Sequence, residues 1–355
     1  AGGCGTRRSR SIKLARSGAV AAIVGGSSLL GREVRDLLSG TAIETRLIGA
    51  DDLEAGTLTE ERGEATVMTH LDEENLAGSR TVLLAGSRGS SRKALEIVGR
   101  LPQPPALIDL TYVLEERPTA HLRAPMVEPA NYALPQESEH VVAHPAAIVL
   151  ALFLLRLRGI RPPRRSVAQI LEPASERGHK GLEELQKQTA NLLTFQKLPK
   201  QVYDEQVSFN LLARYGSEAP ESMESIERRI ERHLAALLEL NGGLAMPSIR
   251  LIQAPVFHGH SLSLWVEFDE NPGVKALEAG LATAHIDVRG PDLDPPTIVG
   301  MAGQSGIAVG AIAVDRNHPR AAWFWVVADN LRIMAENGVA VARSLIGRPR
   351  TARPQ

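Results

Sequence analysis

Three histidines and one glutamate are the residues of this sequence that could hold a metal ion. His258 and His260 are two positions apart in PVFHGHS, so on an extended segment their side chains point to one face. With His144 they would supply three imidazole ligands, and Glu172 could support those ligands from outside. The commoner arrangement is a hydrogen-bonded His260 beside a solvent-facing His258. We therefore predict that the chain has no metal site.

The stretch AHPAAIVLAL, residues 143–152, indicates the end of a strand, a proline-containing turn and the start of an apolar helix. In enzymes built this way, such a turn displays a nucleophile. The candidate positions are Ala146 and Ala147, whose methyl groups cannot form a covalent intermediate. No Ser, Thr or Cys lies within several residues of Ala147. The sequence therefore predicts a platform for a nucleophile without a nucleophile on it.

A glycine-rich turn, GGSSLLG at residues 25–31, follows the first apolar run of the chain. A bound dinucleotide needs such a turn, because the turn brings backbone N–H groups and a helix N-terminus against the pyrophosphate. Gly25 and Gly31 hold the outer positions of G-x-x-G-x-x-G. Ser28, which follows Ser27, fills the middle position, and its side chain leaves less room for a pyrophosphate to approach the backbone. The turn predicts a nucleotide site, although an ordinary strand–helix turn would have the same pattern.

Two acids, Asp51 and Asp52, follow the second apolar strand. A carboxylate at this place could accept the ribose hydroxyls of NAD and would repel the extra phosphate of NADP. Two loop acids in water are the alternative interpretation. We therefore predict that NAD or NADP binds weakly, if at all, and that NAD is favoured.

Apolar strands alternate with helices in the first part of the chain, with strands at 19–24, 45–50, 81–86, 106–111 and 139–145. After residue 147, where a helix is predicted to begin, strands return without helices between them. The first pattern is typical of a parallel, doubly wound sheet and the second of a mixed sheet. The fold class is therefore predicted as α/β: a Rossmann-like doubly wound domain plus an α+β domain with a mixed sheet.

Composition excludes several classes of function. The formal charge of −1 and the 4% aromatic content give no basis for binding nucleic acid or an acidic membrane. No apolar run is long enough to span a membrane. The single cysteine, Cys4, allows no disulfide within the chain, which indicates the cytoplasm. Residues 1–17 are expected to form a disordered tail. Their basic composition, without acids, leaves organellar import as an alternative.

Four segments in order, VGGSSLLGREV, VVAHPAAIVLAL, PVFHGHSLSLWVEF and WVVADNLR, resemble the aspartate-β-semialdehyde dehydrogenase family. The resemblance runs from about Val20 to the final helix. It implies a dinucleotide-binding domain, a dimerising catalytic domain and a last helix that returns to the first domain. Members of this family interconvert β-aspartyl phosphate and the semialdehyde with NADPH. A cysteine forms the acyl-enzyme, and a histidine moves protons.

The catalytic positions carry over unequally from this resemblance. His260 matches the general acid–base histidine of the family. Ala147 falls at the nucleophile, Ala146 at the asparagine before it and His144 at an earlier asparagine. The histidine is therefore kept, and the nucleophile is replaced by a residue that cannot react.

The positions that the resemblance assigns to the substrate pocket have also changed. Glu172 falls where the family has a glutamine, and Gln253 falls where it has a substrate-binding arginine. The substrate lysine falls near Glu224. Asp329 and Asn330 match the acid and the amide on the cofactor side. An added carboxylate and a missing guanidinium both disfavour an anionic acyl phosphate.

These departures predict a member of the family that lacks the phosphorylating dehydrogenase activity and is therefore a pseudoenzyme. Its predicted role is that of a nucleotide-binding regulatory or scaffolding dimer. The alternative is an NAD(P)-dependent oxidoreductase that acts through His260 on another small carbonyl substrate. We expect a homodimer formed by the sheet of the second domain, and a further protein partner stays open. The expected parts are a tail over 1–17, a dinucleotide-binding domain over 18–146, a dimerisation domain over 147–327 and a returning helix over 328–348.

Overall fold

The structure, a computed structural model, describes residues 20–61, 63–135 and 139–347. The tail expected over residues 1–17 lies outside the described residues. The first part of the chain contains the following elements: β1 (Val20–Val24), α1 (Leu29–Ser39), β2 (Glu44–Ile48), β3 (Leu58–Glu61), β4 (Glu64–Val67), α2 (Glu73–Leu76), β5 (Thr81–Leu84), α3 (Arg88–Arg100), β6 (Ala106–Asp109), β7 (Ala120–Arg123) and β8 (Glu139–Val142).

Six of these strands form one parallel sheet in the order β2-β1-β5-β6-β8-β7. The short strands β1 and β5 are apolar and buried on both faces, as a sheet covered by helices on both sides requires. The predicted Rossmann-like domain is confirmed. The hairpin of β3 and β4 and the edge strand β7 were not predicted, because they are only four residues long and partly exposed.

The second part of the chain contains α4 (Pro145–Arg158), β9 (Pro163–Glu172), a 3₁₀ turn (Ala174–Arg177), α5 (Gly178–Leu193), α6 (Met223–Leu240), β10 (Ser248–Gln253), β11 (His260–Phe268), α7 (Val274–Leu281), β12 (Ile286–Arg289), α8 (Ile298–Met301), β13 (Ile307–Val314), β14 (Ala321–Ala328) and α9 (Asn330–Ile346). Its sheet has the order β10-β9-β11-β14-β13-β12. The two outer pairs are parallel and the inner pairs antiparallel, which confirms the predicted mixed sheet.

Helix α4 connects strand β8 of the parallel sheet to strand β9 of the mixed sheet. It begins at Pro145, two residues before the predicted start at 147, because proline fits the first turn of a helix. Almost every side of the helix is buried, since it packs against α6, α7, α9 and β9. Its apolar sequence therefore reflects contacts all round rather than one core-facing stripe.

The last helix, α9, packs against α1 and against strands β5, β6 and β8 of the parallel sheet. Arg332 near its start lies 3.5 Å from Glu33 and 3.2 Å from Asp36, both on α1. The domain limits of 18–146, 147–327 and 328–348 stay a proposal, and residue 348 lies outside the described residues. Within the described part of the chain, no helix is both long and apolar enough to cross a membrane.

Candidate functional site

The ends of three neighbouring strands bring three of the predicted pocket residues into one row. Gln253 of β10 is the register partner of Glu172 on β9. His260 of β11 lies opposite Glu172, one step beyond the antiparallel pair Ser261–Leu171. Side chains directly opposite on adjacent strands lie on the same face of a sheet. All three side chains of the row are fully buried.

The start of α4 lies beside this row. The Ala146 N–H donates to Nδ1 of His144 at 3.2 Å, so His144 caps the helix. The His144 N–H in turn donates to Nδ1 of His233 on α6 at 2.9 Å. The rings of His144 and His260 are 6.0 Å apart. Ala147, the third residue of α4, is fully buried and offers a methyl group and no nucleophile.

His260 has unused hydrogen-bonding capacity. Neither of its ring nitrogens has a hydrogen-bond partner among the described residues. The pKa of His260 is lowered to about 4, mainly by burial; Glu172 opposes this effect and the positive charge of Arg177 adds to it. The imidazole is therefore neutral near pH 7, with one nitrogen able to accept a proton and one able to donate a hydrogen bond.

Glu172 uses one carboxylate oxygen and leaves the other free. Its Oε1 accepts a hydrogen bond from Nη2 of Arg177 at 2.9 Å. Its Oε2 has no partner within the described part of the chain. Burial raises the pKa of Glu172, and the charge of Arg177 opposes that rise. A free carboxylate oxygen and a free imidazole thus lie side by side on adjacent strands.

Arg177 belongs to a line of ion pairs that runs away from Glu172, here called the ion-pair chain: Glu172, Arg177, Glu221, Arg229 and Glu115. Nη1 of Arg177 is 2.6 Å from Glu221, and Glu221 accepts from Nη1 of Arg229 at 3.0 Å. Arg229 then binds Glu115 through Nε and Nη2, at 2.8 and 3.0 Å. The ion-pair chain therefore joins the loop after β6 to α6 and to Glu172 at the end of β9.

Sequence reasoning missed Arg177, Glu221, Arg229 and Glu115. The charged side of a helix ordinarily faces solvent, but Arg229 on α6 is 6% exposed. Its guanidinium also lies 4.7 Å above the ring of Tyr112. The sequence shows that Arg229 is charged but does not show which carboxylate pairs with it, because that residue, Glu115, lies 114 positions away.

Gln253 is held by hydrogen bonds within the protein. Its Nε2 donates to the carbonyl oxygens of Glu172 and Ala254, and its Oε1 accepts from Oη of Tyr215 at 2.6 Å. Each polar atom of the amide therefore has a protein partner, and neither needs a ligand.

Two other predicted positions lie apart from the row. The side chain of Glu224 is 69% exposed and pairs with Arg228 one helical turn later on α6. His258 is exposed. No group of three or more His, Cys, Asp or Glu side chains that could hold a metal ion occurs in the described residues. The three-histidine arrangement is thus not formed, since His258 does not share the burial of His144 and His260.

The glycine turn leaves no space for side chains at its outer positions. Gly25 has a φ of +83°, and a Cβ there would overlap the Cα of Gly86. A Cβ on Gly31 would overlap the carbonyl oxygen of Gly25. Ser28 caps α1: its Oγ accepts from the Gly31 N–H at 2.8 Å and donates to the Ala85 carbonyl at 2.7 Å. Ser27, just before it, is partly exposed. The turn has the close backbone packing that a pyrophosphate site needs.

The acids predicted on the cofactor side have local partners. Asp51 accepts from the N–H groups of Leu53 and Glu54, at 3.0 and 3.1 Å, and so shapes its own turn. Asp329 caps α9 through the Arg332 N–H at 3.0 Å. Its second oxygen accepts from the Gly303 N–H at 2.8 Å.

Asn330 connects the start of α9 to the row. Its Oδ1 accepts from the Gly259 N–H at 3.0 Å, directly before His260. Its Nδ2 donates to Glu176 at 2.7 Å and to Ser175 at 3.1 Å. Asn330 therefore positions the loop that carries His260, whether or not it touches a nucleotide.

Comparison with known proteins connects this architecture to one family. The family model described as "Semialdehyde dehydrogenase, dimerisation domain" matches residues 156–333. A "USG-1 protein homolog" of Pseudomonas aeruginosa is 39% identical over 176 residues, which cover 49% of this chain and 50% of that protein. The chain thus spans about half the length of this curated relative.

Solved structures resemble nearly the whole chain. The structure of a probable aspartate-semialdehyde dehydrogenase from Pseudomonas aeruginosa has a TM-score of 0.80 and 27% identity, over 93% of this chain and 99% of that one. Aspartate semialdehyde dehydrogenase with NADP from Candida albicans has a TM-score of 0.64 and 15% identity, over 92% and 98% of the two chains. The second likeness concerns the fold alone.

Proposed function

Because this chain belongs to the semialdehyde dehydrogenase family, we propose that it is a homodimer that lacks the phosphorylating dehydrogenase reaction. The dimer acts as a nucleotide-binding regulatory or scaffolding protein. The observation that carries this proposal is Ala147, buried in the first turn of α4, with no thiol at the position that the resemblance assigns to the nucleophile. Without a thiolate, no acyl-enzyme forms. The loss of such a group typically lowers a rate by a factor on the order of 10⁴ to 10⁶.

The charges around the site support the same proposal. Both guanidinium groups near it, Arg177 and Arg229, are bound by carboxylates of the ion-pair chain. Gln253 is fully bonded and uncharged. A doubly anionic acyl phosphate would therefore meet the carboxylate of Glu172 without a free cationic clamp.

The open face of the mixed sheet supports dimerisation. Val167 and Trp323, which flank Trp265 on the neighbouring strands, are 40% and 42% exposed there. The indole N–H groups of Trp265 and Trp323 both donate to Asp315, which fixes the two rings on this face. Apolar side chains on a sheet face of this kind are typical of an interface between copies. Light scattering at micromolar concentration is expected to give twice the 38.2 kDa of one chain.

A dinucleotide would be held at the turn of Gly25, Ser28 and Gly31, with Asp51 near the ribose and Asn330 towards the nicotinamide. When bound, the cofactor would supply hydride transfer. Ser28 occupies the turn, which supports weak binding. Asp51 supports NAD over NADP, because a carboxylate repels a 2′-phosphate. Calorimetry is expected to show tighter binding of NADH than of NADPH, and the reverse order would refute the preference. The single cysteine, Cys4, supports a reducing compartment such as the cytoplasm.

Restoration of the lost residues tests the missing reaction. The measurement is NADPH formation from aspartate semialdehyde and phosphate. The unmodified protein is expected to be inactive, and Ala147→Cys alone is expected to restore little. Adding Glu172→Gln and Gln253→Arg should help more than the separate changes together, because nucleophile and substrate alignment act as a unit. Glu270→Gln, an exposed change of the same type as Glu172→Gln, is the control. Robust turnover by the unmodified protein would refute the proposal.

A second candidate is an oxidoreductase that uses His260 on a different small carbonyl compound. It is favoured by the neutral, unpartnered imidazole of His260. Consumption of NADH or NADPH with small aldehydes and keto acids would support it, provided that His260→Gln abolishes the reaction and the exposed substitution His285→Gln does not.

A further inference from the structure

The polar atoms left free at the site include more than one hydrogen-bond acceptor. Glu172 Oε2 is buried and unpartnered, and it can accept two hydrogen bonds. Neutral His260, also unpartnered, has one accepting nitrogen and one N–H group. These two side chains lie opposite each other on β9 and β11. A buried polar atom without a partner is costly, so a ligand that donates hydrogen bonds to both would be stabilised.

The cationic groups, in contrast, are already bound. In Arg229, Nε, Nη1 and Nη2 all donate to carboxylates. In Arg177, Nη1 and Nη2 do the same, and only Nε is without a partner. That single N–H lies on a guanidinium already flanked by Glu172 and Glu221. It cannot offset the repulsion of an anion by two neighbouring carboxylates.

The charge around Glu172 is negative. Arg88 and Arg232 add cations at the other end of the ion-pair chain, 3.7 and 3.5 Å from Glu115, but within the described residues Arg177 is the only cation that pairs with Glu172. Glu176 adds a further carboxylate, 3.6 Å from Nε2 of His144 and bonded to Asn330. A site with a negative excess and free acceptors attracts cations and repels anions.

We propose that Glu172 and His260 form a binding site for a small primary ammonium ion, and that the site rejects carboxylates and phosphates. This rests on the proposed loss of the phosphorylating reaction, which removes the need to hold an anion here. One N–H of the ammonium donates to Glu172 Oε2 and another to the accepting nitrogen of His260.

Isothermal calorimetry on the full chain tests the proposal with methylammonium as the probe, and acetate and inorganic phosphate as anionic counterparts. A mildly alkaline buffer is used, because burial raises the pKa of Glu172 and the carboxylate must be ionised. Methylammonium is expected to bind more tightly than either anion. Tighter binding of acetate or phosphate, or no methylammonium binding, would overturn the proposal without any variant.

Substitutions then locate the site. Glu172→Gln is expected to weaken methylammonium binding at least about tenfold, because a charge-assisted bond becomes a neutral one. Glu270→Gln, the same change on an 80% exposed carboxylate beyond the far end of β11, should leave binding unchanged. An equal effect of both variants, or none from Glu172→Gln, would contradict the assignment. These results are separable from the dehydrogenase assay. Anion binding without turnover refutes only the ammonium site, whereas turnover by the unmodified protein refutes the proposed function.

Discussion

His233 on α6 allows a quantitative prediction about the pH dependence of stability. Its Nδ1 accepts from the His144 N–H at 2.9 Å, so the proton of the neutral ring is on Nε2, 3.7 Å from Glu115. Protonation of Nδ1 would break this hydrogen bond at the start of α4. Burial, with a smaller contribution from the charges of Arg229 and Arg232, lowers the pKa of His233 to about 3.

The sign of the effect follows from proton binding in the two states. The unfolded chain has the ordinary histidine pKa of about 6.5 and takes up a proton as the pH falls below that value, whereas the folded chain does not. Stability is therefore lost as the pH falls. Between about pH 7 and pH 5, this one group contributes a loss of about 2 kcal/mol in the free energy of unfolding, from about 1.4 kcal/mol per pH unit.

The substitution His233→Asn isolates this contribution. An asparagine oxygen can take the place of Nδ1 and accept from the His144 N–H, but it does not titrate. Urea unfolding at a series of pH values is the assay. The variant should lose about 2 kcal/mol less than the unmodified protein between pH 7 and pH 5, whatever its stability at pH 7. Equal losses in His233→Asn and the unmodified protein would refute the reasoning.

Three further predictions follow from local contacts. Glu115→Gln removes one of the two carboxylates that bind the buried guanidinium of Arg229 and should lower the free energy of unfolding by about 2 kcal/mol, measured by urea denaturation. Gly25→Ala should lower it by at least about 2 kcal/mol and weaken nucleotide binding, because its φ is positive and its Cβ would overlap backbone, whereas Gly40→Ala has open space and should be neutral. Trp323→Glu on the sheet face should give a monomer by light scattering, whereas Val299→Glu, 83% exposed on α8, should stay a dimer.

The fold could be predicted because its signals are local. The apolar runs that became β1 and β5 are buried on both faces, which gives a parallel-sheet pattern within five residues. The change of pattern after residue 147 likewise predicted the mixed sheet. The hairpin of β3 and β4 gave no such signal, because its short strands are partly exposed and lack a buried apolar face. The start of α4 was placed two residues late, since the proline was assigned to the turn and not to the first helical turn.

The site could be predicted only where the resemblance supplied positions. Glu172, Gln253 and His260 lie in one row, although nothing in their spacing along the chain brings them together. The pairing of Glu115 with Arg229 depends on the docking of α6 against a loop of the other sheet. Two residues so far apart in the chain show no periodicity or spacing from which their ion pair could be predicted.

The ion-pair chain explains why the departures at the site belong together. Charges that hold a substrate must be free before the substrate arrives, and free buried charges are destabilising. Here Arg177 and Arg229 are bound by three carboxylates, so the interior is largely paired without any ligand. Restoring a thiol at Ala147 would not release either guanidinium. The exception is the free oxygen of Glu172 beside the unpartnered ring of His260. What chemistry the site retains is therefore concentrated on these two side chains, and its charge favours a cation.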